Sequence, residues 1–419
     1  MLKENTNILI IGGGAAGLFT AASLINKATL KGVSPKITIV EKMERCGRKI
    51  GITGKGRCNI TNTKPWEEFS KHVHPKNIFF RSAFYAMNNL KTMEFFEQEL
   101  GLELVVERGD RAYPKSMKAS DVTESMVDYI KSYGAEILTN STIDSIIKSE
   151  EGFCVSIKKG KIFLANYVVI ATGGLSYPTT GSSGDGYKFA EALGHKVTNC
   201  FPSLTALKPK NYREDLQGIS LKNLSVQLLV NKQVVKEEFG DIDFTNGGIE
   251  GPIGFKMSRK AVQNLITGQK VELVLDLKPA VTINQIVSRI ERELKEYKGA
   301  NNSAAMLKFI LPKLMPKQLI APFTAMQDGI SINNLPQKLK EWHFEINDYV
   351  GYERCVVTAG GVELNELSKK TMESKFAEGL YFAGEVVDLD ADTGGYNLQI
   401  AFSTGALVAQ AIIAKLGAA

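Results

Sequence analysis

From Asn7 to Ile11 the chain runs through a short apolar stretch that stops in Gly12 to Gly17, and from Leu18 the pattern changes. LFTAASLINKA repeats its apolar residues at helical intervals. An apolar run of strand length, a cluster of glycines and then a 3.6-residue period predict strand, tight turn and helix. Residues 36–40 (KITIV) predict a second strand that ends at Glu41. Residues 152–171 (GFCVSIKKGKIFLANYVVIA) predict two strands about a KKGK turn and then a third apolar strand, which enters Thr172-Gly173-Gly174. In residues 196–278 the runs SVQLLV, KQVVKEEF and KVELVLDL, set between turn signals, predict a small barrel-like sheet. Helical spacing then takes over in TINQIVSRIERELKEYK, AAMLKFIL and LPQKLKEWHF, punctuated by Pro312, Pro316, Pro322 and Pro336. That predicts a small helical bundle. Glycines lead into a last helical segment over 400–417. Strands alternating with helices at the start of the chain place it in the α/β class with a parallel sheet.

The first turn carries chemistry. Gly12, Gly14 and Gly17 form G-x-G-x-x-G in the strand–turn–helix setting that gives this pattern its meaning. Gly12 permits the turn, Gly14 admits a pyrophosphate to the backbone, and Gly17 allows close helix packing. Ala15 and Ala16 open a helix whose positive dipole end faces the phosphates. Glu41, about two dozen residues on, can accept hydrogen bonds from both ribose hydroxyls of an adenosine and would repel a 2′-phosphate. Beside it, residues 42–57 hold six cations, Lys42, Arg45, Arg48, Lys49, Lys55 and Arg57, against the one acid Glu44. These charges lie where a pyrophosphate needs neutralising.

Bulk properties change this picture little. The 419 residues are 44% hydrophobic and 23% charged, with a net charge of +6 that permits an anionic partner. Residues 195–349 alone hold 21 Lys and Arg against 16 Asp and Glu. Five cysteines at wide spacing, with no CxxC pair, read as reduced thiols, and the close histidine pair His72 and His74 reads as loop or strand surface, so no metal site is expected. The N-terminus lacks a signal-peptide pattern and no uninterrupted apolar run reaches bilayer length, which predicts a cytoplasmic protein with no membrane partner.

Three longer motifs narrow the reading. The segment ending in Ala171-Thr172-Gly173, with the strands before it, looks like the β-meander and ATG segment of FAD enzymes of the glutathione-reductase-like superfamily. GLYFAGE (379–385) resembles the strand-plus-acid motif that holds the ribityl chain of FAD in that superfamily. Together, GRKIGITGKGRCNITN (47–62), ATGGLSYPTTGSSGDGY (171–187) and GEVVDLDADTGGYNLQIAFSTG (384–405) resemble the flavoprotein family called aminoacetone oxidase-like, or NAD(FAD)-utilising dehydrogenases. The resemblance implies an FAD-binding Rossmann-like domain of parallel sheet plus β-meander over 1–194 and 350–419. It is interrupted by an inserted substrate domain over 195–349, with a β part (195–278) and a helical part (279–349) that would close over the flavin. It also implies a set of cofactor contacts. Gly47, Arg48, Lys49, Gly56, Arg57, Cys58, Asn59 and Thr61 come from the first long motif, and Ile143 and Ala171 to Gly173 from the middle of the domain. Gly384, Glu385 and Gly394-Gly395-Tyr396-Asn397-Leu398 come from the last. Backbone N–H groups at that last helix start would stabilise a reduced, anionic flavin.

Two enzyme readings and one binding reading follow from the resemblance. In the first, NAD(P)H reduces FAD and hydride passes from flavin N5 to the C5=C6 bond of a uridine in ribosomal RNA. Cys58 is the candidate general acid, with Tyr177, Tyr396 and Arg111 as further polar candidates. In the second, a small aminoketone such as aminoacetone reduces FAD and oxygen reoxidises it, and Glu250 meets the amine. DFTNGGIEGPIGF (243–255) departs from the family's usual THxGxSGP, with Asn246 for the histidine and Glu250 for the serine, and such polar groups set specificity. The third is a non-catalytic RNA-binding flavoprotein.

Overall fold

The computed structural model describes residues 2–158, 160–300 and 302–417. Lys159, in the KKGK turn, lies outside them. The chain forms two compact units, one from residues 1–201 and 356–419 and the other from residues 202–355.

The first unit is built on a seven-stranded sheet. Its parallel strands run in the order Glu136–Leu138, Ile37–Val40, Leu2–Ile11, Lys161–Ile170, Leu380–Phe382. Their registers align the strand ends: Ile11 lies beside Val40 and Ile170, Val40 beside Leu138, and Ile170 beside Phe382. The chain therefore leaves one sheet edge at Gly12, Glu41, Thr139, Ala171 and Ala383, the carboxyl edge where open α/β sheets bind ligands. On the edge away from Leu2–Ile11, the strand Lys161–Ile170 serves two partners, antiparallel Gly152–Ile157 along its first half and parallel Leu380–Phe382 along its second. One continuous strand thus stands where the apolar pattern predicts two. Ile143–Ser149 completes the meander.

Ile8, Leu9 and Ile10 are fully buried, which explains their unbroken apolar run. Helices Ala15–Lys31 and Tyr396–Leu416 pack together on this sheet, with Phe19 and Phe402 4.7 Å apart between ring centres. Tyr396–Leu416 is long and apolar enough to cross a bilayer although Asn397, Gln399 and Gln410 interrupt its apolar run, and 72% of its apolar window is buried in the protein. Its hydropathy is that of a core helix enclosed on most sides.

The second unit contains a closed six-stranded barrel in the order Leu207–Pro209, Gly248–Glu250, Gln233–Thr245, Ser220–Val230, Val271–Asp276, Trp342–Tyr349. Buried Phe244, Phe323, Trp342 and Phe344 fill its core, with ring centres 4.7 to 6.0 Å apart. Four helices, Ile283–Leu294, Ser303–Leu314, Lys317–Ala325 and Leu335–Lys340, make the helical part. Two details differ from the sequence reading. Gly251–Ile266 is a helix inside the predicted β part; Pro252 at its start pre-sets helical geometry, and one face of it is buried. Trp342–Tyr349, read as the end of the helical part, is a barrel strand, because Trp342, Phe344 and Ile346 alternate with exposed residues at period two.

Candidate functional site

A cavity opens along the carboxyl edge of the sheet in the first unit. The Gly12–Ala16 turn lines one part of it, with Glu41 and Lys42. Gly47, Arg48, Lys49 and Ile143 line its flank, and Ala171, Thr172 and Gly173 its floor. Glu385, Asn397 and Leu398 join from the C-terminal segment. The fold therefore brings together residues from five separate stretches of sequence.

Each part has a local cause. A Cβ on Gly17 would sit 1.9 Å from the Gly12 carbonyl oxygen, so only glycine lets the helix start this close to the turn. A Cβ on Gly14 would meet nothing within 4 Å, which leaves the helix N-terminus open to the cavity. That helix has no side-chain cap and no acid in its first turn, so its leading N–H groups are unopposed. The Glu41 carboxylate accepts from Gly13 N and Met43 N, both at 2.8 Å, which fixes its orientation. A carboxylate has about four lone-pair sites, so two remain for ribose hydroxyls.

The cations are less naked than their sequence suggests. Lys42 pairs with Asp185 at 2.6 Å, Arg48 with Glu44 at 2.9 Å, and Arg57 with Glu107 at 3.3 Å. Lys49 Nζ lies 3.0 Å from Glu385 Oε2 and donates to Ser176 Oγ at 2.8 Å. Glu385 Oε1 accepts from Ser176 Oγ at 2.7 Å and from Thr358 N at 2.9 Å. Burial opposes ionisation of Glu385, but Lys49, Ser176 and the Thr358 N–H outweigh it and hold the carboxyl below its ordinary range. Ser176 and Thr358 were invisible as site residues in the sequence, because the partners of Glu385 lie up to 336 positions away.

Other predicted residues lie off the cavity wall. Gly17 is behind the turn, and Gly56 sits in an exposed loop after the short helix Arg48–Ile52. Arg57 turns to Glu107 and stacks over Tyr113 at 4.6 Å. Cys58 is fully buried at φ 56°, and burial pushes its thiol up to about 12 despite a hydrogen bond with Thr53. A thiol in that position is packed inside the protein and held off the cavity, which gives no access for the acid role expected of it. Thr61 Oγ1 donates to Gln399 Oε1 at 2.6 Å in a buried network with Thr92 and Ser403. Gly384, Gly394, Gly395 and Tyr396 also stand outside the lining, as do Tyr177 and Arg111.

Gly395 nevertheless shapes the site. At φ 97° its missing Cβ would sit 2.4 Å from the Thr61 carbonyl carbon, so the glycine lets the C-terminal helix begin against the Thr61 strand. That helix also lacks a side-chain cap and a first-turn acid. The nearby Asn59 Oδ1 is buried without a hydrogen-bond donor, an acceptor suited to a ligand N–H. Asn397 is used structurally, bonding both the N–H and the carbonyl of Ala391 at 2.8 Å. His72 and His74 flank Asp392 at 2.9 and 3.6 Å, and His72 stacks on Tyr396 at 4.4 Å. In the other unit, Glu250 accepts from Thr245 Oγ1 at 2.9 Å and from Arg354 at 3.3 Å, while Asn246 accepts from the same guanidinium at 2.9 Å.

These features fit a flavin dinucleotide: an open helix N-terminus for the pyrophosphate, an oriented carboxylate for the ribose, and a second unopposed helix start with an orphaned amide oxygen beside it. Comparison with known proteins agrees. The family model for the HI0933-like protein Rossmann domain matches residues 6–411. A 3-dehydro-bile acid delta(4,6)-reductase of Clostridium scindens is 30% identical over 96% of this chain and 98% of its own. A ribosomal RNA dihydrouridine synthase of Haemophilus influenzae is 32% identical over 96% of this chain and 97% of its own. The 3-ketosteroid delta1-dehydrogenase of Sterolibacterium denitrificans shares the fold, with a TM-score of 0.55 at 12% identity over 98% of this chain and all of that one. A Rossmann sheet with a nucleotide cradle at its carboxyl edge, matched along nearly its whole length, makes this chain a member of the HI0933-like family of FAD-dependent oxidoreductases.

Proposed function

We propose that the protein reduces a C=C bond conjugated to a carbonyl group, with NAD(P)H as transient electron donor and a uridine of ribosomal RNA as acceptor. The observation that carries the reading is the cavity at the carboxyl edge of the sheet. It has a nucleotide cradle at Gly12–Ala16 and the first turn of the Tyr396–Leu416 helix on the same wall. Only one nucleotide fingerprint is present among the described residues, so donor and acceptor take turns at one face. A delta(4,6)-reductase and a dihydrouridine synthase, as these names state, both saturate a C=C bond.

FAD, when bound, supplies the hydride-transfer chemistry. Gly12 to Ala16 and Glu41 would hold its adenosine and phosphate end, with Lys49 and Glu385 fixing the wall between. The N–H groups at Tyr396 to Leu398 offer positive potential where negative charge gathers. In the balance, NAD(P)H gives two electrons and one hydrogen, and solvent gives the second hydrogen as a proton. The amine-oxidase alternative asks Glu250 to meet an amine, yet Thr245 and Arg354 already engage that carboxylate.

The test is anaerobic. NADH or NADPH should bleach the visible flavin absorbance, and ribosomal RNA should then restore it while gaining dihydrouridine. A 3-oxo-4,6-diene steroid offered in parallel separates the two acceptor classes. Bleaching by aminoacetone and by neither nicotinamide would overturn the reading in favour of an oxidase.

A further inference from the structure

Charge is not spread evenly along this chain. Residues 278–340, the helical part of the second unit, hold ten Lys and Arg against four Asp and Glu, a net of +6. All other residues together carry forty-one of each sign. The entire positive excess of the protein therefore resides in one helical run.

Few of those cations are neutralised locally. Glu293 and Glu296 both face Lys313, at 2.6 and 3.5 Å, and Lys340 pairs with Asp276 at 2.5 Å. Among the described residues, Arg292, Lys295, Lys298, Lys308 and Lys317 are exposed and have no ion pair, and half-buried Lys338 has none either. On the helix Ile283–Leu294, residues Asn284, Gln285, Ser288, Arg289 and Arg292 line a shallow groove that contains no carboxylate. Arg289 is anchored by donating to the Lys313 carbonyl at 2.8 Å. Burial, and after it the nearby Arg289 charge, depress the pKa of Lys278. Glu293 lies close enough to offset part of the Arg289 and Arg292 charge, and an external anion would relieve the repulsion that remains between Lys278 and Arg289. Ile283 is the one large apolar side chain exposed in this run among the described residues, so the surface offers little to a lipid bilayer. Amide, hydroxyl and guanidinium groups set among lysines suit ribose hydroxyls and phosphates.

We propose that the helical run 278–340 is an RNA-docking surface, with Arg289 and Arg292 contacting the phosphate backbone. The inference rests on the reading of a ribosomal RNA uridine as acceptor and adds to it where the RNA is held, outside the FAD-binding unit.

The experiment compares the FAD-loaded parent with the double variant Arg289→Gln/Arg292→Gln, using purified ribosomal RNA as the probe across a salt series. For the parent, log affinity should fall linearly with log salt concentration. The double variant should lose about 1.4 to 1.8 from that slope, since each phosphate contact contributes roughly 0.7 to 0.9. It should also bind about tenfold or more weakly near physiological salt, while its flavin still bleaches with NAD(P)H at the parental rate. A second double variant on the barrel, Lys208→Gln/Lys210→Gln, should bind RNA like the parent. Unchanged RNA binding in the Arg variant, equal loss in the barrel variant, or no salt-dependent binding by the parent would overturn the surface. RNA that docks here without losing a uracil double bond leaves the surface standing and removes the reductase reading. Uridine reduction that proceeds equally in the Arg variant does the reverse.

Discussion

A methyl group added at residue 14 and one added at residue 17 would meet opposite fates. At Gly14 it enters open space, and the backbone there (φ −85°) suits any L residue. At Gly17 it collides with the Gly12 carbonyl at 1.9 Å. Gly14→Val should therefore purify with far less flavin colour and melt where the flavin-stripped parent melts, whereas Gly17→Ala, compared in the same flavin-stripped state, should lose roughly 1–3 kcal/mol of stability, as overpacked sites do. Thermal melts beside the flavin-to-protein absorbance ratio separate the two. The glycine motif is legible in sequence, and so is Glu41, because a fixed spacing places both at adjacent strand ends. The difference between the two glycines is not legible, since it depends on which direction each missing side chain points. The same holds for Cys58: its loop can be read from the motif, but its complete burial comes from packing by residues distant in the chain.

At the scale of elements, the tie between the short helix Arg48–Ile52 and the segment after Leu380–Phe382 is one partly buried ion pair, Lys49 with Glu385. Its pH dependence follows from its sign. Glu385 has a folded-state pKa below its ordinary value, so its contribution is present above the unfolded carboxyl range and is lost as pH falls through the folded value. Glu385→Gln should cost about 1–3 kcal/mol in urea unfolding at neutral pH and progressively less in acid, below about pH 4. A cost that stays constant with pH would remove the ionic origin. Element type was readable wherever period and burial agree, as along Ile8–Ile11 or the helix after Gly14. It failed at Trp342–Tyr349, where a strand follows directly on a helix, and at Gly251–Ile266, where glycine and proline disguise a helix start.

For the whole molecule, cofactor binding and folding are linked. A ligand that binds only the native state adds RT ln(1 + [L]/Kd), about 4 kcal/mol at a thousandfold excess over Kd. Flavin-stripped protein should thus melt lower than the loaded form and recover on titration with FAD. Equal midpoints would mean that the glycine turn and Glu41 leave the cofactor without a hold on the native state.

The sheet also imposes an order on biosynthesis. Its strand Lys161–Ile170 has left the ribosome long before Leu380–Phe382 exists, so half of one strand edge waits while residues 202–355 are made. Until the closing helix Tyr396–Leu416 follows, the apolar face of Ala15–Lys31 is uncovered and the cofactor wall lacks Asn397 and Leu398. Flavin loading is therefore a late event in the life of each nascent chain. During that interval the uncovered edge and face are open to wrong pairing.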